Sequence, residues 1–135
     1  MKKLLIPIIL ISVLIISACS KQDSKSTAEE TKAQTITYKS ENGPIEVPAN
    51  PKRIVILNAS VSGHVMALGG NIVGIDTWSK GDPNYSKYIK NVTEVSDENI
   101  EKIIELKPDL IIGASTDKNI DKLSKIAPTV IYTYN

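Results

Sequence analysis

Residues 51–75 carry the pattern around which the chain is organised. Ile54-Val55-Ile56-Leu57 is an apolar run without polar alternation, as expected of a strand covered on both faces. Residues 53–57 therefore read as a first buried strand. Pro48 and Pro51 hold back any earlier element, because each lacks an amide donor and fixes its own φ. The small polar cluster Asn58, Ala59 and Ser60 follows, and Ser60 is expected to cap a short helix through its hydroxyl. Val61, Val65 and Leu68 supply the apolar stripe of that helix. Gly69 and Gly70 end it where a left-handed conformation costs little, and residues 71–75 return as a second strand. The result is a β-α-β unit.

The same plan repeats downstream. Residues 76–91 are polar and hold Trp78, Gly81, Pro83, Tyr85 and Tyr88; they read as a loop with room for a short helix after it. Ser96 or Asp97 is expected to cap a helix running to Leu106, with Ile100, Ile103 and Ile104 inward and Glu98, Glu101, Lys102 and Glu105 outward. Glu98 and Lys102 stand at i,i+4 spacing, and Lys107-Pro108 stops the helix. Residues 109–113 form a third buried strand, residues 117–126 carry Ile120, Leu123 and Ile126 at helical spacing, and residues 129–134 form a fourth strand rich in β-branched and aromatic side chains. Upstream, residues 34–47 alternate around Glu41-Asn42-Gly43-Pro44, which predicts a hairpin with Asn42-Gly43 at its turn, a flap on the domain edge. Strands alternating with single helices predict an α/β fold, a mostly parallel sheet with helices on both faces preceded by a β-hairpin.

The first 33 residues differ in kind. Lys2 and Lys3 precede an apolar run, residues 4–16, and then Ser17-Ala18-Cys19, the pattern of a secretory signal. The run is too short to span a bilayer, which needs roughly 20 residues. Ile16-Ser17-Ala18-Cys19 resembles the lipobox of bacterial lipoproteins, which implies cleavage after residue 18 and lipid on the Cys19 thiol. Such cleavage removes two lysines and no acid, moving the formal charge from +1 to −1. Residues 19–33 are polar beyond Cys19 and cannot bury enough surface to offset their ordering entropy, so they read as a tether reaching on the order of 20 Å as a random coil. Near-neutral charge argues against nucleic acid as a partner, and a single cysteine excludes an internal disulfide and a cysteine-based zinc site.

In open parallel sheets, ligands bind beyond the carboxyl ends of the strands. The residues there are Asn58 to Ser60, then Asp76 to Ser79 with the only tryptophan, then Ala114, Ser115 and Thr116, then Tyr132, Tyr134 and Asn135. Small hydroxyl groups and aromatic rings dominate this set, which makes Ser60, Trp78, Ser115, Thr116 and Tyr134 the candidate ligand contacts. Catalytic readings fare worse. His64 is the only histidine, and Ser62, two residues away on a helix, points in another direction. No nucleophile elbow is present, no set of metal ligands gathers, and the glycines of residues 69–74 stand before a strand instead of after one.

Several stretches together resemble the iron-siderophore substrate-binding lipoproteins of ABC transporters. They are the lipobox and tether, Val47-Pro48 to Pro51-Lys52-Arg53-Ile54-Val55, Ala67-Leu68-Gly69 with Val73-Gly74-Ile75, and Glu101-Lys102-Ile103 leading to Lys107-Pro108-Asp109-Leu110. Ser115-Thr116-Asp117-Lys118 and Ala127-Pro128-Thr129-Val130 look most like the Gram-positive ferric-hydroxamate binders. The resemblance implies a two-lobed protein, lipid-anchored on the outer face of the cell membrane, that clasps a ferric siderophore and hands it to a permease with a cytoplasmic ATPase. It implies no cofactor, no catalysis and no metal ligands from the protein, because a siderophore already supplies the oxygens around its iron. Residues 34–135 would then be the N-terminal lobe, with the C-terminal lobe absent. Trp78 and Tyr134 match aromatic ligand contacts of the family, Glu101 matches an acidic docking position, Gly63 replaces an acidic docking residue, and Ala114 replaces a tyrosine. Catecholate or carboxylate chelates would favour arginines, and the sole arginine, Arg53, lies at the other end of the first strand, so hydroxamates are favoured. A binder of haem, cobalamin or another chelate is the alternative on the same scaffold, and a small secreted hydrolase using Ser62 or His64 is the alternative of another class.

Overall fold

The computed structural model describes residues 34–133. An antiparallel hairpin, β1 (Thr35–Ser40) and β2 (Gly43–Pro48), precedes a five-stranded sheet. The sheet contains β3 (Ile54–Ile56), β4 (Ile72–Ile75), β5 (Thr93–Glu94), β6 (Leu110–Ala114) and β7 (Thr129–Tyr132), in the order β5-β4-β3-β6-β7 with every pair parallel. Helices α1 (Ala59–Ala67), α2 (Thr77–Gly81), α3 (Ile100–Glu105) and α4 (Ile120–Leu123) fill the connections. The α/β class, the parallel sheet and the leading hairpin are those the sequence predicts.

The unalternating run of β3 has a simple cause. Successive side chains leave a strand on opposite faces, and here both faces are covered. Val55 packs with Ile103, Ile111 and Leu123 beneath α3 and α4, while Ile54 and Ile56 pack with Ile75 and Ile89 beside Val61 and Val65 of α1. Chain order reverses between β3 and β6. The step from β3 through α1 to β4 runs one way along the sheet, and the step from β5 through α3 to β6 runs back past β3. Right-handed crossovers in opposite directions must lie on opposite faces, which is why α1 and α3 do.

At the amino end of the sheet, Asp109 accepts the Lys52 and Arg53 amides at 2.6 and 2.8 Å. The Arg53 guanidinium turns to the end of α3 and donates to the Leu106 carbonyl at 2.6 and 2.8 Å and to the Lys107 carbonyl at 3.1 Å. These bonds satisfy carbonyls that a helix end leaves without intrahelical partners. They also surround Lys107, whose φ of 46° is the one positive value on a non-glycine residue among those described. Pro108 follows it and prevents the helix from continuing.

Helix α1 ends as expected. Gly69 sits at φ 72°, and the Gly69 and Gly70 amides donate to the Met66 and Val65 carbonyls, both at 3.0 Å, closing a Schellman motif. Its start and its stripe differ from the expectation. Asn58, not Ser60, is the cap, its side chain accepting the Ser60 amide at 3.1 Å. Leu68 is 86% exposed, and Met66 takes its place against the core, because the helix stops at Ala67 and Leu68 falls on the turn beyond.

Other boundaries shift for identifiable reasons. The hairpin turns on Glu41-Asn42, with Ser40 opposite Gly43; Gly43 at φ 103° opens β2, as in a turn followed by a left-handed glycine. Residues 77–81 are helical directly after β4, where a loop is expected, because Asp76 caps them. Helix α3 begins at Ile100 after Asn99, later than a Ser96 or Asp97 cap would start it: the Ser96 hydroxyl donates to the Asn99 side chain, and Asp97 accepts the Lys118 amide. Ile103 is fully buried, but Ile104 is 51% exposed and Leu106 completes the inner face. Glu98 pairs with Lys118 at 3.4 Å instead of with Lys102. Helix α4 is confined to four residues, and Asp117, expected at its start, instead accepts the Ala114 amide at 2.8 Å. Strand β5, two residues long, carries no period for a sequence reading to detect.

Candidate ligand-binding rim

Because all five strands run parallel, their carboxyl ends share one edge, and strand order sets the sequence of loops along it. From β5 inward, the rim carries Trp78 after β4, Ser60 after β3, and Ser115 and Thr116 after β6. The reversal point lies between β3 and β6, where the Leu57 amide donates to the Ile112 carbonyl at 2.8 Å and the Asn58 side-chain amide reaches the Gly113 carbonyl at 3.5 Å. Ser60 and Ser115 flank the place where open α/β sheets hold ligands.

Ser60, Trp78, Ser115 and Thr116 are all exposed. The Ser115 backbone is tied by its amide to the Tyr132 carbonyl at 3.0 Å. Tyr134 and Cys19 lie outside the described residues, so the expected meeting of Trp78 with Tyr134 concerns one described residue and one that is not. Glu101 is exposed in the first turn of α3, on the helix end nearest the rim because that helix follows β5. The rim is an open surface. A cavity of about 420 Å³ lies toward the opposite end of the sheet, among Ile54, Val65, Leu68, Gly70, Leu110 and Ile112. Asn50, Lys52 and Asn71 also line it, and none of the rim's hydroxyl groups reaches it.

A buried polar cluster lies beneath the rim, and sequence reasoning missed it. Ser62 is fully buried, Asn58 and Ser79 are nearly so, and Asp76 is 7% exposed. The Ser79 hydroxyl donates to Ser62 Oγ at 2.8 Å, Ser62 Oγ lies 3.3 Å from Asp76 Oδ2, and Asp76 Oδ1 accepts the Ser79 amide at 2.9 Å. A buried carboxylate is tolerable only when its lone pairs are met in this way. Asp76 three residues before Ser79 is a capping signal legible in the sequence; Ser62 gives none. Ser62 therefore faces the core while His64 is exposed, and the two do not form a nucleophile–base pair.

The hairpin closes one end of the rim. Tyr38 and Tyr132 share a hydrogen bond of 2.9 Å between their hydroxyl groups, and the Thr133 hydroxyl donates to the Glu41 carboxylate. Tyr132 is thereby turned toward the hairpin. The Tyr38 hydrogen bond, then burial, pushes the Tyr132 hydroxyl up to about 12, and the Thr133 hydrogen bonds hold the Glu41 carboxyl below its usual range. On the neighbouring loop, burial raises Asp117 against the pull of the Ala114 amide, with Asp97 adding to the rise. Among the described residues, no three His, Cys, Asp or Glu side chains gather as a group able to hold a metal ion.

The sequence profile of the family described as periplasmic binding protein matches residues 54–135. This chain belongs to that family of binding proteins. The iron(3+)-hydroxamate-binding protein YxeB of Bacillus subtilis (strain 168) is 40% identical over 141 residues, an alignment covering 100% of this chain and 43% of YxeB. Among solved structures, the FhuD protein from S. pseudintermedius is 42% identical with a TM-score of 0.65, over 73% of this chain and 36% of that one. FhuD2 from Staphylococcus aureus with bound ferrioxamine B is 39% identical with a TM-score of 0.59, over 63% of this chain and 33% of that one. The chain thus spans about two fifths of the length of the curated relatives it matches.

Proposed function

We propose that this chain is the N-terminal lobe of a lipid-anchored solute-binding component of an ABC importer, and that its rim contacts a ferric siderophore of the hydroxamate class. The observation that carries this reading is Trp78: its ring is 85% exposed on the carboxyl rim, beside the helix start that carries Ser60 and one strand further from Ser115 and Thr116. What singles out this ring is its place at the strand ends, where open α/β sheets hold ligands, and a chelate that already satisfies its iron asks the protein only for rings and hydroxyl groups. Relatives named for iron(3+)-hydroxamate binding support the ligand class. The sole arginine supports it too, being committed to the end of α3 at the far end of the sheet and not offered to an anionic chelate. The role is binding without catalysis and without a cofactor, iron being cargo.

In this reading Ser60, Trp78, Ser115, Thr116 and Tyr134 touch the ligand, Glu101 docks on the permease, and Cys19 carries the lipid that holds the protein on the outer face of the membrane. Ferrioxamine B added to the full chain is expected to quench Trp78 emission. Emission that stays constant across a wide range of ferrioxamine B concentration overturns the ligand assignment. The Cys19→Ala variant is expected to leave the membrane fraction, and an unaltered membrane fraction overturns the anchor.

A further inference from the structure

Trp78 stands on a one-turn helix whose other residues are tied down from several directions. Asp76 caps it through the Ser79 amide at 2.9 Å, and the same carboxylate faces Ser62 Oγ of α1 at 3.3 Å. The Ser79 hydroxyl closes the ring onto Ser62 at 2.8 Å. On the solvent side, the Thr77 hydroxyl donates to Glu94 at the end of β5 at 2.9 Å. The Lys80 ammonium donates to the Ile89 and Val92 carbonyls at 2.9 and 2.7 Å. Isolated helices this short do not hold together in water, and five residues with an 85% exposed indole have little apolar burial to replace that cooperativity. The polar ties hold the turn instead.

We infer that Ser62, Asp76, Ser79 and the Thr77–Glu94 pair form a pedestal that fixes the backbone from which Trp78 projects at the rim before any ligand arrives. These are positioning residues: none need touch the ligand, and they act through the backbone on either side of the indole. The pedestal also couples two segments of the rim, because Ser62 belongs to α1, whose first turn carries Ser60, while Ser79 belongs to α2 and Asp76 caps it. A turn fixed in advance spares the ordering cost that a mobile loop incurs on binding. The inference rests on the ligand reading above for its consequence in affinity, but its structural content can be tested without a ligand.

Trp78 is the only tryptophan of the sequence, so its emission reports on this helix alone. Time-resolved fluorescence anisotropy of the ligand-free full chain is expected to show, in the wild type, a fast component limited to rotation of the indole about its own side-chain bonds. That component should grow at least about two-fold in Thr77→Val and Ser62→Ala, the turn beneath the ring being freed to move as well on the nanosecond scale. Thr77→Ser, which keeps the hydroxyl, should restore the wild-type decay, an outcome that a general loss of stability would not produce. Thr77 is exposed, so its variants keep the test available should Ser62→Ala fail to fold. Decays identical to wild type in Thr77→Val, with unchanged circular dichroism, overturn the pedestal. With ferrioxamine B as probe, Thr77→Val is expected to bind about three- to ten-fold more weakly than wild type and Thr77→Ser equally well. Wild-type emission that ignores ferrioxamine B overturns the ligand reading alone, since the ligand-free decays decide the pedestal separately.

Discussion

Arg53 and Asp109 exchange backbone and side-chain bonds across two neighbouring strands: the Asp109 carboxylate accepts the Arg53 amide at 2.8 Å, and the Arg53 carbonyl accepts the Asp109 amide at 2.9 Å. The two most recognisable stretches of the chain, Pro51-Lys52-Arg53 and Lys107-Pro108-Asp109, meet here, at the end of the sheet away from the rim. Their role is to fix the register of β3 against β6. That register in turn sets Asn58 beside Gly113 at the rim.

Asp109→Ala should therefore cost about 2 kcal/mol, since two backbone amides lose a charged acceptor. Urea unfolding is the measurement. The exposed rim, a full strand length away, should retain its affinity in whatever fraction stays folded, and a stability equal to wild type would remove the register role.

Gly74 is a tight point of the sheet. A Cβ added there would stand 2.8 Å from a Leu106 methyl group, 3.1 Å from Val55 and 3.2 Å from Val95, all packed side chains. Gly74→Ala is expected to destabilise by about 1–3 kcal/mol through overpacking. Thermal melting checks it, and a melting temperature at or above that of wild type contradicts the packing described.

The contact between hairpin and β7 should open at both ends of the pH scale. The Tyr132 hydroxyl is raised from 10.0 to about 12, so the stabilisation it contributes is complete below pH 10 and is lost as pH climbs toward 12. Glu41 is lowered, so its share is present above the ordinary carboxyl range and is lost as pH falls through the depressed value. Absorbance titration at alkaline pH should show one tyrosine ionising late, and Tyr38→Phe should bring it back toward an ordinary midpoint. A late tyrosine that persists in Tyr38→Phe would contradict the assignment.

Trp78→Ala should leave the melting temperature nearly unchanged, within about 0.5 kcal/mol in stability, because the ring is 85% exposed and contributes little to the core. The same variant should bind ferrioxamine B at least about ten-fold more weakly if the indole is a central contact. Equal affinity would remove Trp78 from the site. A large loss of stability would mean that the ring is buried.

Much of this was legible in consecutive residues. The unbroken apolar run at residues 54–57 announced a strand covered on both faces, the spacing of Ile100 and Ile103 announced an inner helical face, and Gly69 announced the end of α1, because these features depend on neighbours within one or two turns of chain. Trp78, Ser60, Ser115 and Thr116 could be placed on one rim from the parallel alternation alone. The tertiary structure decided what depends on partners distant in sequence: Ser62 beneath Asp76, Tyr38 against Tyr132, Glu98 turned to Lys118, and the pairing of the two-residue β5. No local period encodes a bond between residues 94 positions apart. Such a bond exists only once the strands have taken their order, and the order is set by which crossovers can cover both faces of the sheet at once.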